Sequence, residues 1–179
     1  MTIYKVGTSA EDDRPIVDDA AWECQLGWDG QWKFFTGQIE WPEFRPPKLL
    51  SVHPRATDWD LYYFGIGLVS ERARKLLVPY AKDYFEFLDA SLNGKPYSFL
   101  RIKKLPPGVL NYDECEFDFL EDGMTPRSIR KCVFNHDRVP DSAFFCVHAG
   151  FSGPYTTGDA AKAIKRANLR GFELHDTEG

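Results

Sequence analysis

A chain of 179 residues with 43% hydrophobic and 15% aromatic content is long enough to bury roughly 70% of its unfolded surface in one core, without help from a metal or disulfides. Its formal net charge of −5 argues against nonspecific nucleic-acid binding, which depends on lysine and arginine displacing counterions from phosphate. No apolar run approaches the roughly 20 residues of a membrane helix, and Met1 to Asp13 lacks a basic stretch followed by an apolar one, so the expected location is the cytoplasm, with no membrane partner.

All five tryptophans, Trp22, Trp28, Trp32, Trp41 and Trp59, fall in the first third, among Gly27, Gly30, Gly37, Pro42, Pro46 and Pro47. This composition predicts short strands and ordered loops whose rings pack on a main body. Residues 1–57 are accordingly read as an aromatic, loop-rich segment and residues 58–179 as the main α+β domain. An aromatic contact surface for a partner is the other use of such rings.

Gly65-Ile66-Gly67 precedes the first helix but lacks the third glycine of a dinucleotide fingerprint, and there is no lysine-serine pair of a triphosphate loop. From Ser70 the pattern turns helical. Ser70 is a good N-cap, Glu71 complements the helix dipole, and Ala73, Leu76, Leu77 and Tyr80 share a face, with Pro79 ending or kinking the helix. Phe85 to Leu88 then reads as strand. A weaker copy, Thr156 to Leu174, aligns at a constant offset of 87 residues: Ser70 meets Thr157, Ala73 meets Ala160, Lys75 meets Lys162, Leu77 meets Ile164, Phe85 meets Phe172, Glu86 meets Glu173, and Phe87 meets Leu174. In the second copy Thr156 or Thr157 caps, Asp159 lies in the first turn, and Ala160, Ala163, Ile164 and Ala167 form a stripe of smaller side chains that predicts closer packing.

Between the copies the period becomes two. Tyr97 to Leu105 predicts a strand stopped by Pro106-Pro107-Gly108, and Ile129 to Phe134 and Phe144 to His148 predict two more. Cys115, Phe117 and Phe119 alternate with Glu114, Glu116 and Asp118, which predicts one buried face and one acidic face. A register pairing Phe117 with Cys132 and Cys115 with Phe134 keeps the apolar faces together and sets Asp118 opposite Lys131, a pair worth about 0.2–1 kcal/mol.

The chemistry-bearing residues form no motif of known catalytic spacing. Glu114, Glu116 and Asp118 line a strand rather than converge on a cation or sit in a cleft, so they read as a solvated face or a partner-binding acidic surface. Cys24, Cys115, Cys132 and Cys146 show no paired spacing and are expected to be reduced and mostly buried. Cys146 and His148, and Cys132 and His136, are close enough in sequence for a thiolate–imidazole pair or soft metal ligands, but the spacing is generic. His53 and His175 have no recognisable partner spacing. No catalytic residue, metal site or cofactor is therefore assigned.

The run Leu68-Val69-Ser70-Glu71-Arg72-Ala73-Arg74-Lys75-Leu76-Leu77-Val78-Pro79-Tyr80, with Phe85-Glu86-Phe87-Leu88 and the terminal Ala160-x-x-Ala163-Ile164-x-x-Ala167-Asn168-Leu169-Arg170-Gly171-Phe172-Glu173-Leu174, resembles immunity protein family eleven of bacterial polymorphic toxin systems, formerly a domain of unknown function. The resemblance spans roughly Asp58 to His175. It departs from the family pattern at Thr156-Thr157-Gly158-Asp159, where a serine-glutamate-arginine start is usual. The resemblance implies a non-catalytic protein that binds and neutralises a cognate protein toxin. Glu114, Glu116, Asp118 and exposed aromatics such as Trp59 are then the contact candidates. The alternative is a small-molecule-binding protein or enzyme with a pocket between the N-terminal segment and the main body, using Cys146 and His148; a structural or regulatory subunit is a third reading. The fold expected in every case is α+β, mainly antiparallel sheet with at least two short helices.

Overall fold

The computed structural model describes residues 1–8, 15–18, 22, 25–51, 57–62, 66–119, 121, 126–148 and 153–177. Cys24, His53 and Gly65 lie outside the described residues. The described residues form three helices and twelve strands in an α+β arrangement that is mostly antiparallel. Strands β1 (Ile3–Thr8), β10 (Phe144–Phe145), β11 (Tyr155–Thr157) and β12 (Phe172–Asp176) make a four-stranded sheet in the order β10-β11-β1-β12. A six-stranded sheet has the order β2 (Ile16–Val17), β3 (Lys48–Leu50), β6 (Phe85–Leu92), β7 (Lys95–Ile102), β5 (Ile66–Ser70), β4 (Trp59–Tyr62). A separate two-stranded hairpin pairs β8 (Glu116–Phe119) with β9 (Pro126–Lys131).

The helical motifs read from the sequence are the centres of two matching units. Helix α2 (Glu71–Ala81) leads from β5 to β6, and β7 lies between those strands, antiparallel to both. Helix α3 (Gly158–Ala167) leads from β11 to β12, and β1 lies between them, again antiparallel to both. Flanking strands match too, since β4 pairs with β5 as β10 pairs with β11. The two units therefore share one topology, but the middle strand follows its helix in the first and comes from the beginning of the chain in the second.

The same correspondence extends to hydrogen bonds and rings. Ser70 N–H donates to Asp58 O at 3.0 Å, and Thr157 N–H donates to Ala143 O at 3.0 Å. Trp59 packs on Phe172 at 5.2 Å while Phe144 packs on Phe85 at 5.6 Å, and Trp59 meets Phe144 at 6.1 Å. Each unit thus inserts one ring against the strand that leaves the other unit's helix. Helices α2 and α3 touch, and Ala73, Leu77 and Ile164 join these rings in one core. Ala160, Ala161 and Ile164 are the buried residues of α3.

The two helices are capped differently. Ser70 Oγ accepts from Ala73 N–H at 3.2 Å, as its position predicts. Thr157 occupies the equivalent N-cap, yet its hydroxyl donates to Pro140 O and accepts from Ala143 N–H. Ser142 Oγ replaces it, accepting from Asp159 N–H at 3.1 Å. Helix α2 continues two residues beyond Pro79 before ending at Ala81.

The first third departs from the expected loops. Gly27–Phe35 forms helix α1 in spite of two glycines, because Gln31, Phe34 and Phe35 are buried and tertiary packing outweighs the propensity cost of about 1 kcal/mol per glycine. Trp22, Phe34, Phe35 and Trp41 join Tyr62 and Phe99 in a second core, where Trp22 stacks on Phe99 at 6.3 Å and Phe34 meets Trp41 edge-on at 5.4 Å. This is the aromatic packing on the main body that the composition predicted. Arg101 ties the layers together. Its guanidinium donates to the Phe34 and Ile39 carbonyls, pairs with Glu40 and Glu86, and lies 4.8 Å from the centre of the Phe34 ring.

Candidate protein-interaction surface

The β8–β9 hairpin and the turn before it carry several accessible residues, among them Tyr112, Glu114, Glu116 and Phe119. The base of the hairpin is set by residues 109–111 running antiparallel to residues 133–135. Asn111 N–H donates to Val133 O, Asn135 N–H donates to Val109 O, and Leu110 is bridged to Phe134. Phe134 is therefore engaged by Leu110 and cannot pair with Cys115 as the sequence register proposed. The observed pairs are Glu116 with Lys131, Phe117 with Ile129, Asp118 with Ser128 and Phe119 with Pro126, with two irregularities along β8. Phe117 consequently faces Ile129 rather than Cys132, and Asp118 faces Ser128 rather than Lys131.

The acidic residues are split by this geometry. Glu116 and Asp118 are carried by β8, whereas Glu114 stands in the preceding turn and accepts from Asn111 Nδ2 at 2.7 Å. Asp118 accepts from Ser128 Oγ and from Arg130, both at 2.9 Å. Exposed ion pairs of this type contribute about 0–1 kcal/mol, so they orient the carboxylate more than they stabilise the hairpin.

The apolar side of β8 is not buried as its alternation predicts. Phe119 is 49% exposed and Tyr112 54% exposed. Tyr112 stacks on Phe117 with the ring planes 5° apart and centres 6.1 Å apart, and Phe117 meets Phe119 at 6.4 Å. The hairpin forms a sheet of its own, and Cys115, Ile129 and Cys132 pack on the body in a third core. The result is a line of three aromatic rings, exposed at Tyr112 and Phe119 and half-buried at Phe117, on a segment that also carries Glu114, Glu116 and Asp118. Its signal in the sequence is the aromatic spacing Tyr112, Phe117, Phe119 beside a carboxylate run.

Trp59 is placed elsewhere. Its ring is completely buried between Phe144 and Phe172, so it is not the exposed contact residue proposed from the sequence. A side chain at Gly67 would meet the Trp59 ring at 2.6 Å; the glycine before helix α2 thus provides close approach for a core tryptophan.

Cys146 lies in the main core, and burial pushes its thiol up to about 12, far from the depressed range of a nucleophilic cysteine. One open hollow of about 490 Å³ lies at Asn135, His136 and Arg138, and another of about 340 Å³ at Arg74, Asp89 and Ser98. Neither is lined by Cys146 or His148. Cys132 and His136 are separated by the Phe134 bridge, and the Cys132 sulfur turns instead to the Tyr155 hydroxyl, 3.2 Å away. Among the described residues no group of three or more His, Cys, Asp and Glu side chains is arranged to hold a metal ion. Among them, too, no helix is long and apolar enough to cross a membrane. No protein-family model matches the chain, and no curated protein matches it either.

Proposed function

We propose that this chain is a non-catalytic immunity protein of the bacterial cytoplasm, which binds and neutralises a cognate protein toxin through the β8–β9 hairpin. The observation that carries the reading is the line of rings Tyr112, Phe117 and Phe119, of which Tyr112 and Phe119 stand in water, on the hairpin segment that also carries Glu114, Glu116 and Asp118. Aromatic rings with an acidic border have the composition of a protein contact patch, where rings supply buried area and charges guide encounter. The net charge of −5 favours a partner with a basic face, as expected of a toxin whose active surface handles phosphate or other anions. The helix-to-strand resemblance noted in the sequence supports the same reading.

Co-expression with a toxin domain encoded beside this chain tests it. The Tyr112→Ser/Phe119→Ser variant removes two exposed rings and should weaken binding by about 2–4 kcal/mol, roughly thirtyfold to a thousandfold, with loss of protection. Its thermal midpoint should stay close to that of the parent, because neither ring belongs to a buried cluster. Reversal of Glu116 and Asp118 to lysine should slow association most strongly at low salt. Full protection by both variants would move the contact surface away from the hairpin, and failure of the parent to protect against any adjacent toxin would remove the immunity reading itself.

A further inference from the structure

The hairpin that carries the exposed rings also brings two cysteines together at its base. Glu116 and Lys131 form its innermost pair, and Cys115 and Cys132 are the next residues on either side, one step nearer the body. Directly opposed antiparallel residues have Cα atoms about 4.5–5.5 Å apart, within the window of about 4.4–6.8 Å that a disulfide requires. The sulfur positions agree. Cys115 Sγ accepts a hydrogen bond from Val133 N–H at 3.3 Å, and that nitrogen lies about 2.4 Å from Cys132 Cα by standard peptide dimensions. Cys115 Sγ is therefore within about 5.7 Å of the Cys132 Cα. Cys132 Sγ is held 3.2 Å from the Tyr155 hydroxyl, and a turn about its Cα–Cβ bond exchanges that contact for Cys115. Both thiols are free and half-buried, whereas Cys146 is enclosed.

The geometry points to a reversible disulfide between Cys115 and Cys132, formed by a peroxide, that staples the base of the β8–β9 hairpin. One thiolate attacks a peroxide oxygen, the O–O bond breaks, and one water leaves as that sulfur becomes a sulfenic acid. The second sulfur displaces the hydroxyl, the S–S bond forms, and a second water leaves. In total two thiols are oxidised to a disulfide with loss of two hydrogens, and one peroxide is reduced to two waters. An isolated two-stranded hairpin is marginal in water, so a covalent tie at its base restricts the element that presents Phe117 and Phe119. In a reducing compartment such a bond is transient, which makes it a record of oxidative exposure rather than a permanent brace. The staple rests on the proposed function only for its consequence at the contact surface.

The protein, treated with hydrogen peroxide and then denatured in the presence of a thiol alkylator so that enclosed Cys146 also reacts, provides the test. Peptide mapping without reductant should find Cys115 linked to Cys132, with a mass loss of about two daltons, two of the four cysteines protected from alkylation, and full reversal by dithiothreitol. Hydrogen exchange at β8 and β9 should slow by roughly tenfold or more in the oxidised form. In Cys132→Ser the link should vanish and a sulfenic acid at Cys115 should become trappable by a cyclic dione. Alkylation of all four cysteines after treatment, a bridge involving Cys24 or Cys146, or unchanged exchange in the hairpin would overturn the staple. None of these readouts requires a toxin, so they separate the failure of the staple from the failure of the immunity reading.

Discussion

Arg101 shows how a single side chain fixes the N-terminal third to the sheet. It is only 9% exposed, so its value lies less in the ion pair to Glu40, whose carboxylate is mostly in water, than in the Phe34 and Ile39 carbonyls it satisfies. Arg101→Met keeps much of the apolar stem but leaves two carbonyls and Glu86 without their donor. A loss of about 3 kcal/mol in urea unfolding is expected, with faster hydrogen exchange at residues 27–41. Buried titrating groups give a second test at this scale. Burial, then Asp58 and Asp60, push Tyr97 up to about 12, and burial alone pushes Cys146 up to about 12. Both groups are neutral when protonated, so the native state retains its protons to higher pH than the unfolded chain. Stability should be flat at neutral pH and fall between about pH 9 and 12, as the unfolded state ionises first. Tyr97→Phe should lower stability at neutral pH, by loss of the hydrogen bond to Thr57 O, and make the alkaline decline shallower. A decline of unchanged steepness in pH-dependent urea unfolding would remove Tyr97 from this account.

The strand–helix–strand units explain both what the repeat preserves and what it changes. Ala73 and Ala160, and Leu77 and Ile164, hold equivalent places because buried positions are what each helix needs to dock. The cap is not kept in the same way, since Ser70 caps its own helix while Thr157 leaves that role to Ser142. Ser70 serves two roles, capping Ala73 N–H and donating to Asp58 Oδ1 at 2.6 Å. Asp58 in turn accepts from Arg170 N–H at 3.0 Å and from Arg72, so it joins α2 to the segment that follows α3. Ser70→Ala should therefore cost about 2 kcal/mol, more than a simple cap, measured by thermal and urea unfolding. A cost below about 0.5 kcal/mol would mean that water replaces the hydroxyl at both places. At the β8–β9 hairpin the presence of two strands was readable from alternation, but the second, expected at Ile129 to Phe134, lies at Pro126–Lys131, and the register was not readable, because residues 109–111 occupy the backbone that Cys115 would have used.

At the scale of the molecule the second unit is closed by a strand from the opposite end of the sequence. Ile3 faces Thr157 and Val6 faces Leu174 across β1, and both Ile3 and Val6 are buried. Removal of residues 1–8 would leave β11 and β12 without the strand between them and open the core beneath α3. Loss of a cooperative thermal transition is the expected outcome by circular dichroism, and a truncated protein that melts like the parent would show that the second unit closes without β1. The amino-acid sequence by itself determined the local elements around each helix, the repeat, the aromatic packing of the first third and the α+β class, because caps, apolar stripes and alternation act over a few residues and leave a local pattern. Only the tertiary structure decided that β1 completes the second unit, that Trp59 is buried, that the hairpin register is displaced, and that Phe119 and Tyr112 face water. Each of these depends on which distant segment covers a given face, and pairing across some 150 residues leaves no periodic trace in either partner.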